Sequence, residues 1–278
     1  MYPLLITALH DRYNPAMPHR RNVVITGASS GIGAALALRL TADGHRVALA
    51  ARREAELNDV AKRAGANAIA VPADVTRRGD VIRLRDRAIE TFGHIDVWIN
   101  NAGRGITRAV IDLTDEELDE MMAVNVKSAL YGMQSIVPHF IERGSGHLIN
   151  VSSMLSRVPF AAYRSAYNAA KAALNALTAN LRVDLSARYP GIHVSLVIPG
   201  LVTTEFARNA VGGSPPLPPA AAREAQTPEQ VAERIAALIE HPVAEIYTNP
   251  QHHAQALRYF QDVGAFERET AARRQEAT

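Results

Sequence analysis

Thr26-Gly27-Ala28-Ser29-Ser30-Gly31-Ile32-Gly33 decides the fold. It follows a short β-branched run at 22–26 (NVVIT) and opens a small, apolar, helix-like stretch at 31–42. Each of its three glycines answers a steric demand of a strand-to-helix turn. Gly27 permits the tight turn, Gly31 lets backbone approach a diphosphate, and Gly33 lets the helix lie close to the strand. The helix N-terminus then presents free N–H groups and the positive end of its dipole, with Ser29, Ser30 and Ile32 on the same loop. The spacing is G-x-x-x-G-x-G, not the better-known G-x-G-x-x-G, and a plain tight turn would show the same glycines. Residues 27–31 also satisfy G-x-S-x-G, the nucleophile elbow of α/β-hydrolases. That reading fails on context, because the elbow would sit on the first strand, before the rest of the sheet exists.

Outward from this loop the pattern alternates. Strand-like runs are expected at 45–50 (HRVALA), 67–72, 95–99 (IDVWI), 146–151, 192–198 (IHVSLVI) and 244–248. Helical patterns lie between them at 54–64, 80–92 and 165–189, and a capping box of Thr114 and Glu117 opens a long helix toward Pro138. Continuous apolar strands alternating with helices predict an α/β fold: a Rossmann-type doubly wound parallel β-sheet with helices on both faces. Residues 203–226 contain GGSPPLPPAAA and carry no period, which marks a substrate lid. Thr227, Pro228 and Gln230 open a further capped helix. The expected organisation is a flexible leader at 1–21, one domain over 22–266 and a polar tail at 267–278, with Met17 an alternative start.

Composition narrows the function classes. The chain has 278 residues, 47% hydrophobic and 21% charged, enough for a self-sufficient core. With no cysteine there is no disulfide scaffold, thiolate metal site or cysteine nucleophile. A net charge of +2 argues for neither nucleic acid nor a membrane surface. No apolar run approaches the ~20 residues of a membrane span. The short apolar stretch 4–9 lacks the flanks of a signal peptide, so a cytoplasmic location is expected.

The end of the second strand bears on ligand choice. In a dinucleotide site an acidic residue there binds the ribose 2′-OH, whereas arginine accommodates a 2′-phosphate. Here the sequence reads Ala50-Ala51-Arg52-Arg53. Two guanidiniums and no carboxylate favour NADP(H), with NAD(H) possible if the pair is merely a solvated helix start. Basic charge at that end opposes the helix dipole, which favours a ligand role.

Tyr167 and Lys171 share one helical face. A lysine cation ~4–5 Å from the phenol contributes roughly 3–4 kcal/mol at an effective dielectric of ~20, lowering its pKa toward the working range of an acid–base catalyst. A lone Y-x-x-x-K is common and reads equally as a surface pair.

Taken in order, the motifs resemble those of the short-chain dehydrogenase/reductase family over about residues 20–250. They are TGASSGIG at 26–33, Asp74-Val75, Asn100-Asn101-Ala102-Gly103, Asn125 within VNV, Ser152-Ser153, Tyr167-x-x-x-Lys171 and Pro199-Gly200-x-Val202-x-Thr204. The resemblance implies that Tyr167 exchanges a proton with a substrate hydroxyl or carbonyl, and that Ser153 hydrogen-bonds the same oxygen. It implies that Lys171 lowers the Tyr167 pKa and holds the nicotinamide ribose, and that Asn125 anchors a relay water. Asp74 and Val75 would border the adenine, Asn101, Ala102 and Gly103 the cofactor backbone, and Pro199, Gly200, Val202 and Thr204 the nicotinamide end. It further implies a homodimer or homotetramer acting on a small carbonyl or alcohol substrate.

Ser153 stands one residue further from Tyr167 than the family usually places it, leaving Ser152 and Ser156 as outside candidates. Tyr163 reads as a wall residue, and Arg104, Arg157 and Arg164 as loop arginines rather than an acid-binding set. Trp98, Met121 and Met122 read as core, and His252-His253 lacks the spacing of a metal site. Two rivals stand beside an NADP(H)-dependent oxidoreductase: an NAD(H)-preferring alcohol dehydrogenase and a catalytically silent redox sensor.

Overall fold

A computed structural model of the chain describes residues 20–213 and 219–276. The expected leader, apart from its last two residues, and part of the expected lid lie outside the described residues. In chain order the regular elements are β1 (Asn22–Thr26), α1 (Gly31–Ala42), β2 (Arg46–Ala51), α2 (Glu54–Ala64), β3 (Ala68–Pro72), α3 (Arg78–Phe92) and β4 (Val97–Asn100). There follow α4 (Asp115–Met122), a π-helical turn (Ala123–Lys127), α5 (Ser128–Arg143), β5 (Gly146–Val151), α6 (Ser165–Ser186) and β6 (Ile192–Ile198). The chain continues through α7 (Pro219–Glu224), α8 (Pro228–Glu240), β7 (Glu245–Tyr247), α9 (Gln251–Gln261) and α10 (Val263–Glu276).

The strands form one sheet of order β3-β2-β1-β4-β5-β6-β7. Every pairing is parallel. Side chains alternate between its faces with the period of two that a strand imposes. Val23 and Ile25 of β1 pack with Leu36, Leu40, Leu57 and Ile235 of α1, α2 and α8. Val24 points the other way, into a core shared with Leu84, Ile136, Phe140 and Leu174 of α3, α5 and α6. A strand buried on both faces has no polar side to keep, hence the unbroken apolar runs. Burying a side chain such as Phe140 is worth about 1.5–3 kcal/mol. The sheet order reverses between β1 and β4, which opens a crevice beyond their C-terminal ends.

Three elements differ from the sequence expectation. The helix approaching Pro138 does not stop there but runs to Arg143. Pro138 and Gln134, whose carbonyl loses its i+4 donor, both lie on the exposed face of the helix, where a lost bond costs least. The polar tail expected from residue 267 is helical through residue 276 as part of α10, tied to α9 by an Arg258–Glu269 ion pair and a Tyr259 hydroxyl donating to Glu267 at 3.1 Å. The aperiodic segment 203–226 carries the short helix α7.

Candidate active site

The glycine turn has the geometry its sequence demands. Gly27 sits at φ +68° and Gly31 at φ +56°, where side chains are strained. A Cβ on Gly33 would lie 2.4 Å from the Gly27 carbonyl oxygen, so only glycine lets α1 pack this close to the loop. Ser30 begins α1 without a side-chain cap, so the N–H groups of the first turn are not taken up by its hydroxyl. Thr26, unremarked as a site residue in sequence terms, ties the crevice together. Its hydroxyl donates to the Ile99 carbonyl (3.3 Å) and accepts from the backbone of Asn101 (3.0 Å) and Ala102 (3.1 Å). The Asn101 side chain donates back to the Thr26 and Gly27 carbonyls at 2.9 and 3.2 Å. Such a cradle of glycines and uncapped amides fits a diphosphate.

The Arg52–Arg53 pair splits. Arg52 is exposed, whereas Arg53 turns onto the loop and donates from Nη2 to Ser30 Oγ (2.6 Å) and Ser29 Oγ (3.2 Å). A cleft of about 580 Å³ lies there, lined among others by Ser29, Ser30, Gly31, Arg53, Glu56 and Glu205. On the far side, the Asp74 carboxylate accepts from the Thr76 amide (3.0 Å) and hydroxyl (2.7 Å), and Val75 is buried beside it.

Tyr167 and Lys171 both lie buried on α6 at the end of β5. Lys171 Nζ donates to the Val151 carbonyl at 2.8 Å and stands 5.9 Å from the Tyr167 ring centroid. Burial lowers the lysine to about 8. Burial also pushes the Tyr167 phenol up to about 12, while a hydrogen bond with the Ser153 hydroxyl and the charge of Arg164 pull it down. With its ammonium turned to the Val151 carbonyl, Lys171 is not among the groups that lower the phenol in this structure, where loss of water outweighs the pull of Ser153 and Arg164.

Ser153 is the serine that acts on the tyrosine, lowering its phenol. Ser152 instead donates to Asn175 Oδ1 (2.5 Å), and Asn175 Nδ2 donates to Ser156 Oγ (2.7 Å). The two rival serines thus clamp the β5 end to α6 through Asn175, a residue no motif singled out. A second buried ladder runs from Trp98 to Asn100, Asn150 and Thr178 through bonds of 2.8, 2.8 and 2.9 Å. Trp98 is thus core, with its indole N–H satisfied.

Asn125 falls on the π-helical turn, a feature frequent at functional sites. Its amide accepts from the Arg104 N–H (3.2 Å) and donates to the carbonyls of Arg104 (3.0 Å) and Met121 (3.1 Å). A Cβ on Gly103 would lie 2.9 Å from Asn125 Oδ1 and 3.5 Å from Lys171 Nζ, so these groups meet at that glycine.

The strand after α6 closes the site. The Pro199 carbonyl accepts from Met154 N–H at 2.7 Å, and the His252 ring of α9 packs on Gly200, where a Cβ would sit 1.9 Å from the imidazole. Val202 bridges to Gln226, Thr204 packs against Gly31, and the Phe206 ring lies 5.3 Å from that of Tyr167. Arg104 and Arg157 are ion-paired with Glu120 and Glu245, and buried Arg164 donates to the Ile106 carbonyl at 3.2 Å. Among the described residues no His, Asp or Glu cluster is placed to hold a metal, and no helix is long and apolar enough to cross a membrane.

The arrangement combines a diphosphate cradle with a Ser–Tyr–Lys cluster at the mouth of a parallel sheet. A family model for short chain dehydrogenase matches residues 21–213. The uncharacterized oxidoreductase YxnA of Bacillus subtilis is 36% identical over 239 residues, spanning 84% of this chain and 67% of that protein. A short chain dehydrogenase/reductase of Burkholderia phymatum in complex with NAD aligns with a TM-score of 0.79 at 26% identity, covering 88% of this chain and 94% of that one. A short-chain dehydrogenase of Sphingobium yanoikuyae in complex with NADPH aligns with a TM-score of 0.74 at 28% identity, covering 86% and 92%. The chain belongs to the short-chain dehydrogenase/reductase family and is an oxidoreductase of that family.

Proposed function

We propose that the protein interconverts a ketone or aldehyde and an alcohol by hydride exchange with NADP(H), using Tyr167 as general acid and base. The observation that carries this reading is that Ser153, Tyr167 and Lys171 lie buried together at the end of β5, next to the glycine cradle, with Ser153 acting on the Tyr167 phenol. The bound cofactor supplies or accepts the hydride, so that carbonyl, NADPH and a proton balance alcohol and NADP⁺. In the reducing direction Tyr167 donates its phenolic proton to the carbonyl oxygen as that oxygen gains charge. Ser153 donates a hydrogen bond to the same oxygen and steadies it. Lys171, at about 8, remains a cation near neutrality and favours the phenolate that Tyr167 becomes. Asn125 pins the Gly103–Arg104 backbone around the lysine and anchors the relay by which protons return from solvent. Arg53, already on Ser29 and Ser30, holds the 2′-phosphate, and Gly27, Gly31 and Gly33 admit the diphosphate. Relatives in the same fold are solved with NAD and with NADPH, so the preference rests on Arg53.

Tyr167→Phe tests the chemistry. It should lower turnover by roughly 10²–10⁴-fold while leaving NADPH affinity within about twofold. Turnover at the wild-type rate would remove Tyr167 from the mechanism, and a silent sensor would show no turnover in either form.

A further inference from the structure

Three consecutive residues after β6 touch three separate parts of the site. Thr204 packs against Gly31 of the phosphate loop. Glu205 Oε2 lies 3.4 Å from Arg53 Nη1, and the Phe206 ring lies 5.3 Å from the Tyr167 ring, tilted by 59° to it. Arg53 also faces Glu56 at 3.6 Å, but Glu56 belongs to the same helix region and stays with it. Glu205 comes from the other side of the cleft. A carboxylate and a phosphate ask the same thing of a guanidinium: anionic oxygens along its planar fork. The Arg53 and Glu205 side chains are 40% and 50% exposed, so water competes with their pair and a more highly charged anion displaces it. The segment is knit together locally: the Phe206 amide donates to Thr204 Oγ1 at 3.3 Å and the Asn209 amide to the Glu205 carbonyl at 3.0 Å.

We propose that Glu205 is a specificity-determining residue that occupies Arg53 in place of the 2′-phosphate, so that binding of the phosphate expels Glu205 and carries Phe206 off Tyr167. The inference rests on the reading that Arg53 is the 2′-phosphate site. It makes cofactor choice and access to the catalytic tyrosine one event: a ligand without the phosphate leaves Glu205 on Arg53 and Phe206 beside the ring.

Calorimetric titration of the full chain tests it, with NADPH, NADH and adenosine 2′,5′-bisphosphate as probes and wild type, Glu205→Gln, Arg53→Ala and the double variant as proteins. Removing an exposed competing charge should tighten NADPH and the bisphosphate roughly two- to fivefold in Glu205→Gln and leave NADH unchanged. That gain should vanish in the Arg53→Ala background. Hydrogen exchange supplies the second readout: the bisphosphate, but not 5′-AMP, should speed exchange at residues 204–209. An unchanged or weakened NADPH affinity in Glu205→Gln, with Arg53→Ala still losing NADPH, overturns the inference and leaves the cofactor reading standing. Undiminished NADPH affinity in Arg53→Ala overturns both. Tighter NADPH binding in Glu205→Gln without the exchange signature overturns the link to Phe206.

Discussion

At the scale of single residues, the buried pair on α6 sets the electrostatics. Desolvation acts oppositely on the two groups, because it penalises a phenolate and an ammonium alike. Lys171 falls from 10.5 to about 8, and Tyr167 rises from 10.0 to about 12. Below pH 8 the folded and unfolded chains both hold the lysine proton, and the full cost of the buried cation is present. Between about 8 and 10.5 the unfolded chain holds more protons, so stability rises with pH. For the tyrosine the folded chain holds more between 10 and 12, so stability falls there. Lys171→Met removes the first dependence. Urea unfolding of wild type and variant from pH 7 to 10.5 should show the wild type gaining about 3 kcal/mol on the variant. A constant difference across that range would mean that the lysine is not buried as a cation.

At the scale of elements, the glycine turn and the π-helical turn do complementary work. Gly33 brings α1 against the Gly27 carbonyl, and the same carbonyl accepts from Asn101, so the cradle and the β4 end share one atom. Gly33→Ala forces them apart. An overpacked contact of this kind costs about 1–3 kcal/mol, and a chain of this size loses roughly 2–4 °C per kcal/mol. The expected outcome in thermal denaturation is therefore a fall of several degrees, together with weaker cofactor binding. An unchanged Tm would show that the loop has slack. The elements that were legible in sequence are those whose signal is local. The β1 run, the Thr114 and Thr227 capping boxes and the glycines at 27, 31 and 33 state their own geometry. Pro138 misled because its cost depends on which face the lost bond occupies. The α10 helix was hidden because its partners, Arg258 and Tyr259, sit on another helix.

At the scale of the whole molecule, the order of the strands gathers the site. Residues from the ends of β1, β2, β4, β5 and β6 reach one crevice only because the sheet reverses between β1 and β4. Motifs in sequence order named most of these residues. The fold supplied what motifs do not carry: Thr26 as the knot of the crevice, Asn175 as the clamp that separates Ser153 from Ser152 and Ser156, and Glu205 and Phe206 against Arg53 and Tyr167. Each is a contact between residues far apart in the chain, which no local pattern encodes. The choice between NADP(H) and NAD(H) turns on what Arg53 holds. Fluorescence titration of the purified protein with NADPH and, separately, NADH measures this directly. Charge-assisted contacts to a 2′-phosphate are worth about 1.5–3 kcal/mol, so NADPH should bind roughly 10- to 100-fold more tightly than NADH. Equal or tighter NADH binding would contradict the account.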